Sequence, residues 1–264
     1  MGMEMMRTMR MKKIAVYVVW ALLLPAVGVP AQATKQARAA AAAKPMPYYY
    51  NPAGLNLVVL VPPPPEADSA TAKADLAELH RIEQTRTPEQ VAAAKRDENE
   101  ENMFAFSTVL GPDFNAEALP LTAALSDHVK NEESVAGGEL KANFPRMRPY
   151  NADKTLHPVC AVTDAPTSYP SSHALVGYLE AFTLVEMVPD RREAILDRAD
   201  DYAHNRLVCG VHYPSDIEES RRVALLIFGY MMATPKFQQD LAAAKLETRT
   251  KLGYKTNVIR AQFH

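Results

Sequence analysis

Apolar positions recur along most of the chain at the three- and four-residue spacing of helices, and alternating runs of strand length are absent, so the pattern predicts an all-α helical bundle. Ser69 is placed to cap a first helix reaching about Gln84. Thr87-Pro88-Glu89-Gln90 combines a capping box with proline at the first helical position, and opens a second helix expected to run to Leu110, where Gly111-Pro112 stops it. Asn115 is expected to open a third that runs with interruptions through Leu121 and Val129 towards Lys141, broken near Gly137-Gly138. Ala174 to Val188 reads as a fourth, closed by Pro189. Asp190 should cap a fifth towards Val208, and Ser215 a sixth carrying Val223 to Met232. No internal repeat is present.

Ahead of this pattern the character changes. Arg7, Arg10, Lys12 and Lys13 precede an apolar run from Ile14 to Leu24, followed by Ala31-Gln32-Ala33, the small-residue pattern that a signal peptidase reads. Residues 1–33 are therefore expected to be a cleaved secretory signal; the run is well short of the roughly 20 apolar residues that cross a bilayer. Residues 34–59, rich in Ala and holding Tyr48-Tyr49-Tyr50, read as a flexible leader. Pro62-Pro63-Pro64-Pro65 reads as a stiff polyproline segment at the start of a domain spanning 60–250, with 251–264 as a tail.

Composition narrows the function. The 264-residue chain is 48% apolar, enough for one sizeable core. Without the signal it keeps 25 basic and 30 acidic residues, a mildly acidic balance that argues against nucleic acid or an anionic membrane as partner. In an exported chain Cys160 and Cys209 are expected to form one disulfide, two buried free thiols being the alternative.

Three short segments concentrate the residue types of phosphate chemistry. The first carries Lys141 and, after six residues, Arg148-Pro149. The second is Ser168-Tyr169-Pro170-Ser171-Ser172-His173 at a helix start. The third is Asn205-Arg206, then His212 and Asp216. Backbone amides at a helix N-terminus make an anion cradle from Ser171, Ser172 and His173. Arg148 and Arg206 offer planar forks to phosphate oxygens, and Lys141 adds a compact charge. Two imidazoles complete the chemistry, one to attack phosphorus and one to protonate the leaving oxygen; His173 suits the first role and His212 the second. Asp216 lies four residues after His212, yet is expected to orient His173 across the fold, because an attacking ring needs one bare nitrogen and its other proton held.

These segments resemble the three-part signature of the PAP2 superfamily, K-x6-R-P, P-S-G-H and S-R-x5-H-x3-D, and within it the bacterial class A non-specific acid phosphatases, with a match from about Leu60 to Glu247. The resemblance implies a helical bundle, no metal or other cofactor, small phosphomonoester substrates and a homo-oligomer, often a dimer. It carries Lys141, Arg148, Ser171, Ser172 and Arg206 over as phosphate binders and His173, His212 and Asp216 as catalytic residues. Ser172 stands where the family usually has glycine, which would strain the cradle if that position needed a positive φ; Asn205 stands where it usually has serine. A vanadate-dependent haloperoxidase and a non-catalytic phosphate-binding protein are the alternative readings. The acidic cluster Asp97, Glu98, Glu100 and Glu101 is expected on an exposed mid-helix face, and His80, His128, His157, His204 and His264 in structural or surface positions.

Overall fold

Capping chemistry sets the first long helices. In the computed structural model, which describes residues 46–256, Ser69 accepts the Ala72 amide, and Thr87 and Gln90 form the reciprocal capping box. In chain order the helices are α1 (Leu57–Leu60), α2 (Ala70–Thr85), α3 (Pro88–Asp97), α4 (Ser107–Leu110), α5 (Pro120–Asn143), α6 (Pro149–Ala152), α7 (Ser172–Met187), α8 (Arg192–Val208), α9 (Pro214–Met232) and α10 (Pro235–Lys251). Among the described residues no strand forms beyond an isolated parallel bridge between Arg146 and Thr167. The all-α expectation holds.

The organising element is α7. It is apolar on nearly every side, and a helix of that kind belongs in the interior; Leu175, Leu179, Ala181, Leu184 and Met187 are all fully buried. Helices α5, α8, α9 and α10 pack around it. Gly177 permits the closest approach, since a Cβ there would stand 2.5 Å from the Tyr202 ring of α8. Tyr202 is one turn before Arg206, so the start of α7 and the end of α8 lie side by side.

Several expectations are corrected. The second helix ends at Asp97 instead of Leu110, and a 3₁₀ turn at Met103–Phe106 with the short α4 covers the rest. Its backbone is claimed by tertiary partners: the Glu98 carbonyl meets His173 Nε2 at 3.0 Å and the Glu100 carbonyl accepts from Tyr202 Oη at 2.9 Å. Helix α5 starts at Pro120, with Asn115 closing only a local turn onto the Ala118 amide. It passes through Gly137-Gly138 unbroken. Asp190 caps nothing and instead takes Arg249 at 2.6 Å. Ser215 is the second residue of α9, and its hydroxyl serves Asp75 and Arg146 instead of capping.

Helix α10 was not anticipated. Its apolar positions Phe237, Leu241 and Ala244 are buried at helical spacing, a pattern present in the sequence but shadowed by Pro235, which is the first residue of this helix. The leader is also ordered where it is described. Tyr49 and Tyr50 are buried, and the amides of Tyr48, Tyr49 and Tyr50 all donate to the Glu132 carboxylate. Residues 1–45, with the expected signal at 1–33, and residues 257–264, with His264, lie outside the described residues.

Candidate active site

The first two motif segments are joined by backbone. The Arg146 amide donates to Pro166 O at 3.0 Å and the Ser168 amide to Arg146 O at 3.0 Å, which brings Lys141–Pro149 alongside Ser168–His173. The loop that leads into the second segment is joined covalently to the third, because Cys160 and Cys209 form a disulfide. Cys209 follows α8 directly and Gly210 turns the chain with φ +74°, where a Cβ would meet Pro158 Cα at 3.3 Å. This turn delivers His212 to the end of α8 and Asp216 to the first turn of α9.

His212 is buried at the base of the site. Its Nδ1 lies 3.3 Å from Asp216 Oδ2 and its Nε2 lies 2.9 Å from Arg148 Nη1. A guanidinium can only donate, so Nε2 carries the lone pair and Nδ1 the proton. Burial and the cations Arg148, Lys141 and Arg206 hold the His212 pKa well below its ordinary value. Asp216 therefore pairs with His212, and the expectation that it orients His173 is corrected. The local spacing of four residues across a helix start is what the fold uses.

Asp216 is held on both oxygens. Oδ1 takes Arg146 Nη1 at 2.6 Å; Oδ2 accepts Ser168 Oγ at 2.6 Å and the Tyr213 amide at 2.9 Å. Burial raises the pKa of this carboxyl, and Arg146, Ser168 and the Tyr213 amide pull against it. Arg146 also meets Asp75 at 3.1 Å and lies 3.8 Å over the Tyr213 ring. Arg146, Ser168 and Asp75 were missed in the sequence; Arg146 and Ser168 each sit inside a motif segment but carry no spacing of their own.

His173 is nearer the mouth. Its side chain keeps 19% exposure against 2% for His212. Nε2 meets two acceptors, Glu98 O at 3.0 Å and Glu101 Oε1 at 3.1 Å, so this nitrogen bears a proton. Burial and Arg206 lower the His173 pKa, while Glu101 and the Glu98 carbonyl push it up. Of the acidic cluster only Glu100 is exposed as expected; the other three turn inward. Asp97 is buried on Arg198 and Asn205, Glu98 accepts the Ala161 amide, and Glu101 links Lys130 to His173.

The charges of Lys141, Arg148 and Arg206 act on His212, and that of Arg206 acts on His173 as well. Arg148 also donates to Val211 O and Thr167 O, and Arg206 Nη2 lies 4.0 Å from Glu98. The Nε–H groups of Arg148 and Arg206 are buried without a partner among the described residues, which leaves each guanidinium a donor in reserve. Lys141 donates to Pro170 O, and burial lowers its pKa to about 8. At the head of α7 the Ser171 hydroxyl accepts the Ala174 amide and the Ser171 amide is taken by Ser220. The amides of Ser172 and His173 remain as the first-turn donors of the helix. Ser172 is the first residue of α7, a right-handed position that a side chain tolerates, so the strain expected there does not arise.

Fold and site define a helical phosphate-handling enzyme class. The chain belongs to the PAP2 superfamily, whose family model matches residues 121–240, a stretch containing all eight anticipated phosphate-binding and catalytic residues. It is 30% identical over 183 residues to the non-specific acid phosphatase of Salmonella typhimurium, covering 66% of this chain and 70% of that protein. It is 29% identical to the non-specific acid phosphatase of Providencia stuartii, over 54% of this chain and 59% of the relative, and 29% identical to the acid phosphatase of Zymomonas mobilis, over 54% and 55%.

Proposed function

We propose that this protein is an exported acid phosphatase that hydrolyses small phosphomonoesters through a phosphohistidine on His212, with His173 as the acid. The observation that carries the assignment is the Asp216–His212–Arg148 chain, 3.3 and 2.9 Å. With its Nδ1 proton held by Asp216, His212 presents the Nε2 lone pair. That pair forms the N–P bond as the ester P–O bond breaks, and the His173 Nε2 proton passes to the departing alkoxide. Water then attacks phosphorus, gives its proton to His173, and the N–P bond breaks to free phosphate and neutral His212. An alcohol in place of water would make the enzyme a phosphotransferase.

Lys141, Arg148, Arg206 and the Ser172 and His173 amides are the groups that would hold the phosphoryl oxygens and stabilise the charge spreading over them in the transition state. This reverses the histidine roles expected from sequence, because a proton donor cannot be the ring that burial and three cations keep neutral. Export is supported by the basic, apolar and small-residue pattern of residues 1–33 and by the disulfide.

Trapping by an alkaline denaturing quench with a labelled aryl phosphate, with chelator present, tests the reading. Wild-type protein and His173→Ala should yield an acid-labile phosphoenzyme and His212→Ala none. Labelling of His212→Ala would reverse the roles, and turnover without any adduct would remove the covalent step.

A further inference from the structure

One buried carboxyl beside the cradle has no part in the chemistry above. Glu133, on α5 two turns before Lys141, is 6% exposed, and its Oε1 is buried without a hydrogen-bond partner among the described residues. Oε2 accepts from the Ser134 hydroxyl at 3.5 Å, whereas Oε1 lies over the bare backbone of Gly137: a Cβ there would lie 2.6 Å from Glu133 Oε1 and 3.4 Å from Ser172 Oγ. The carboxyl and the Ser172 hydroxyl thus meet over the same glycine, at the helix start whose amides face the phosphate. Any side chain at Gly137 would displace one of them.

We propose that Glu133 is a positioning residue of the phosphate site, taking up a proton as the phosphoryl dianion enters and so leaving the Lys141 ammonium to the ligand. The charges that bear on it come from three elements. Lys141 on its own helix and the Ser172 hydroxyl on α7 favour its ionised form; Glu101, from the segment before the 3₁₀ turn, opposes it, and burial opposes it most, raising its pKa to about 7. Glu101 is itself tied to His173 and Lys130. A carboxyl balanced in this way responds to a new neighbour. A dianion placed at Lys141 and the Ser172 amide adds negative charge next to it and disfavours its ionised form, so ligand and proton enter together. Above the carboxyl's own titration range the ionised Glu133 competes for Lys141 and repels the ligand. Affinity for phosphate then falls as pH rises, and the enzyme is biased towards acid conditions by a group outside the reaction itself.

The inference rests on the phosphate-site reading, and its test separates the two. Sulfate, a dianion at every pH used, serves as the probe. Its binding to the full-length protein is followed by calorimetry between pH 6 and 8 in two buffers of different ionisation enthalpy, which reports both affinity and protons taken up. Wild-type affinity should fall with pH about tenfold more than that of Glu133→Gln, the effect of one unit of pKa coupling, and proton uptake near neutrality should drop in the variant. Equal pH dependence in the two proteins overturns the role of Glu133. Should Glu133→Gln lose its cooperative melt, Glu133→Asp keeps a titrating group one methylene shorter; a shifted uptake midpoint is expected, and an unshifted one overturns the proposal. If wild-type protein binds no sulfate at all, the phosphate-site reading itself fails.

Discussion

Asp216 joins His212 to Arg146: its Oδ2 lies 3.3 Å from the imidazole and its Oδ1 2.6 Å from the guanidinium. The carboxylate is fully buried, so its charge persists only because Arg146, Ser168 and the Tyr213 amide surround it. Asp216→Asn should keep the fold but lose the hold on the Nδ1 proton, lowering kcat by roughly 10³- to 10⁴-fold, the loss seen when an orienting carboxylate is neutralised. Steady-state kinetics with an unchanged circular dichroism spectrum check this, and a loss under tenfold would remove Asp216 from the mechanism.

Removing the partner instead of the carboxylate acts on stability. Arg146→Met leaves Asp216 and Asp75 with a shared cation gone, and breaking a buried pair by one partner costs about 3–5 kcal/mol. Denaturant unfolding should show a midpoint well below wild type, with activity falling as well because Asp216 is no longer held.

The two histidines should differ in their dependence on the leaving group. His173→Ala withdraws the proton donor, so an alkyl phosphate should lose about 10²- to 10⁴-fold in kcat/KM. An aryl phosphate whose phenolate departs unaided should lose far less. His212→Ala should abolish both to the same degree. Equal losses for both esters in His173→Ala would argue that its ring has another task.

A pH profile follows from His173. An acid must be protonated in the free enzyme, so kcat/KM is high below the His173 pKa and falls as pH rises through it. Burial and Arg206 place that pKa under the ordinary histidine value, and Glu101, 3.1 Å away, pushes it back up. Glu101→Gln removes the upward push, so the alkaline limb of the profile should move to lower pH. A limb that stays in place or moves upward would show that His173 is not the titrating acid.

The disulfide closes 49 residues and ties the loop before Ser168 to the turn after Arg206. A cross-link of that length contributes about 4 kcal/mol through the unfolded chain. Cys160→Ser paired with Cys209→Ser should lower Tm by several degrees or more in calorimetry, with phosphatase activity retained at temperatures below the new transition.

Much of this protein is written locally. Helix class, the capped starts at Ser69 and Thr87, and the eight motif residues of the site are legible in spacing and motif order, because caps, periodicity and motif order are short-range properties. Even the Asp216–His212 pair was local, four residues apart at one helix start, and an expected long-range partner had hidden it. What sequence could not fix is which polar group answers which across the fold. Glu101 reached His173 only because tertiary partners ended α3 at Asp97, and Arg146 and Ser168 meet the same carboxylate because an isolated backbone bridge between Arg146 and Thr167 set them side by side. Glu133 came beside the cradle because Gly137 let α5 approach α7. Proton ownership depends on such neighbours and on burial, and both exist only once the chain has packed.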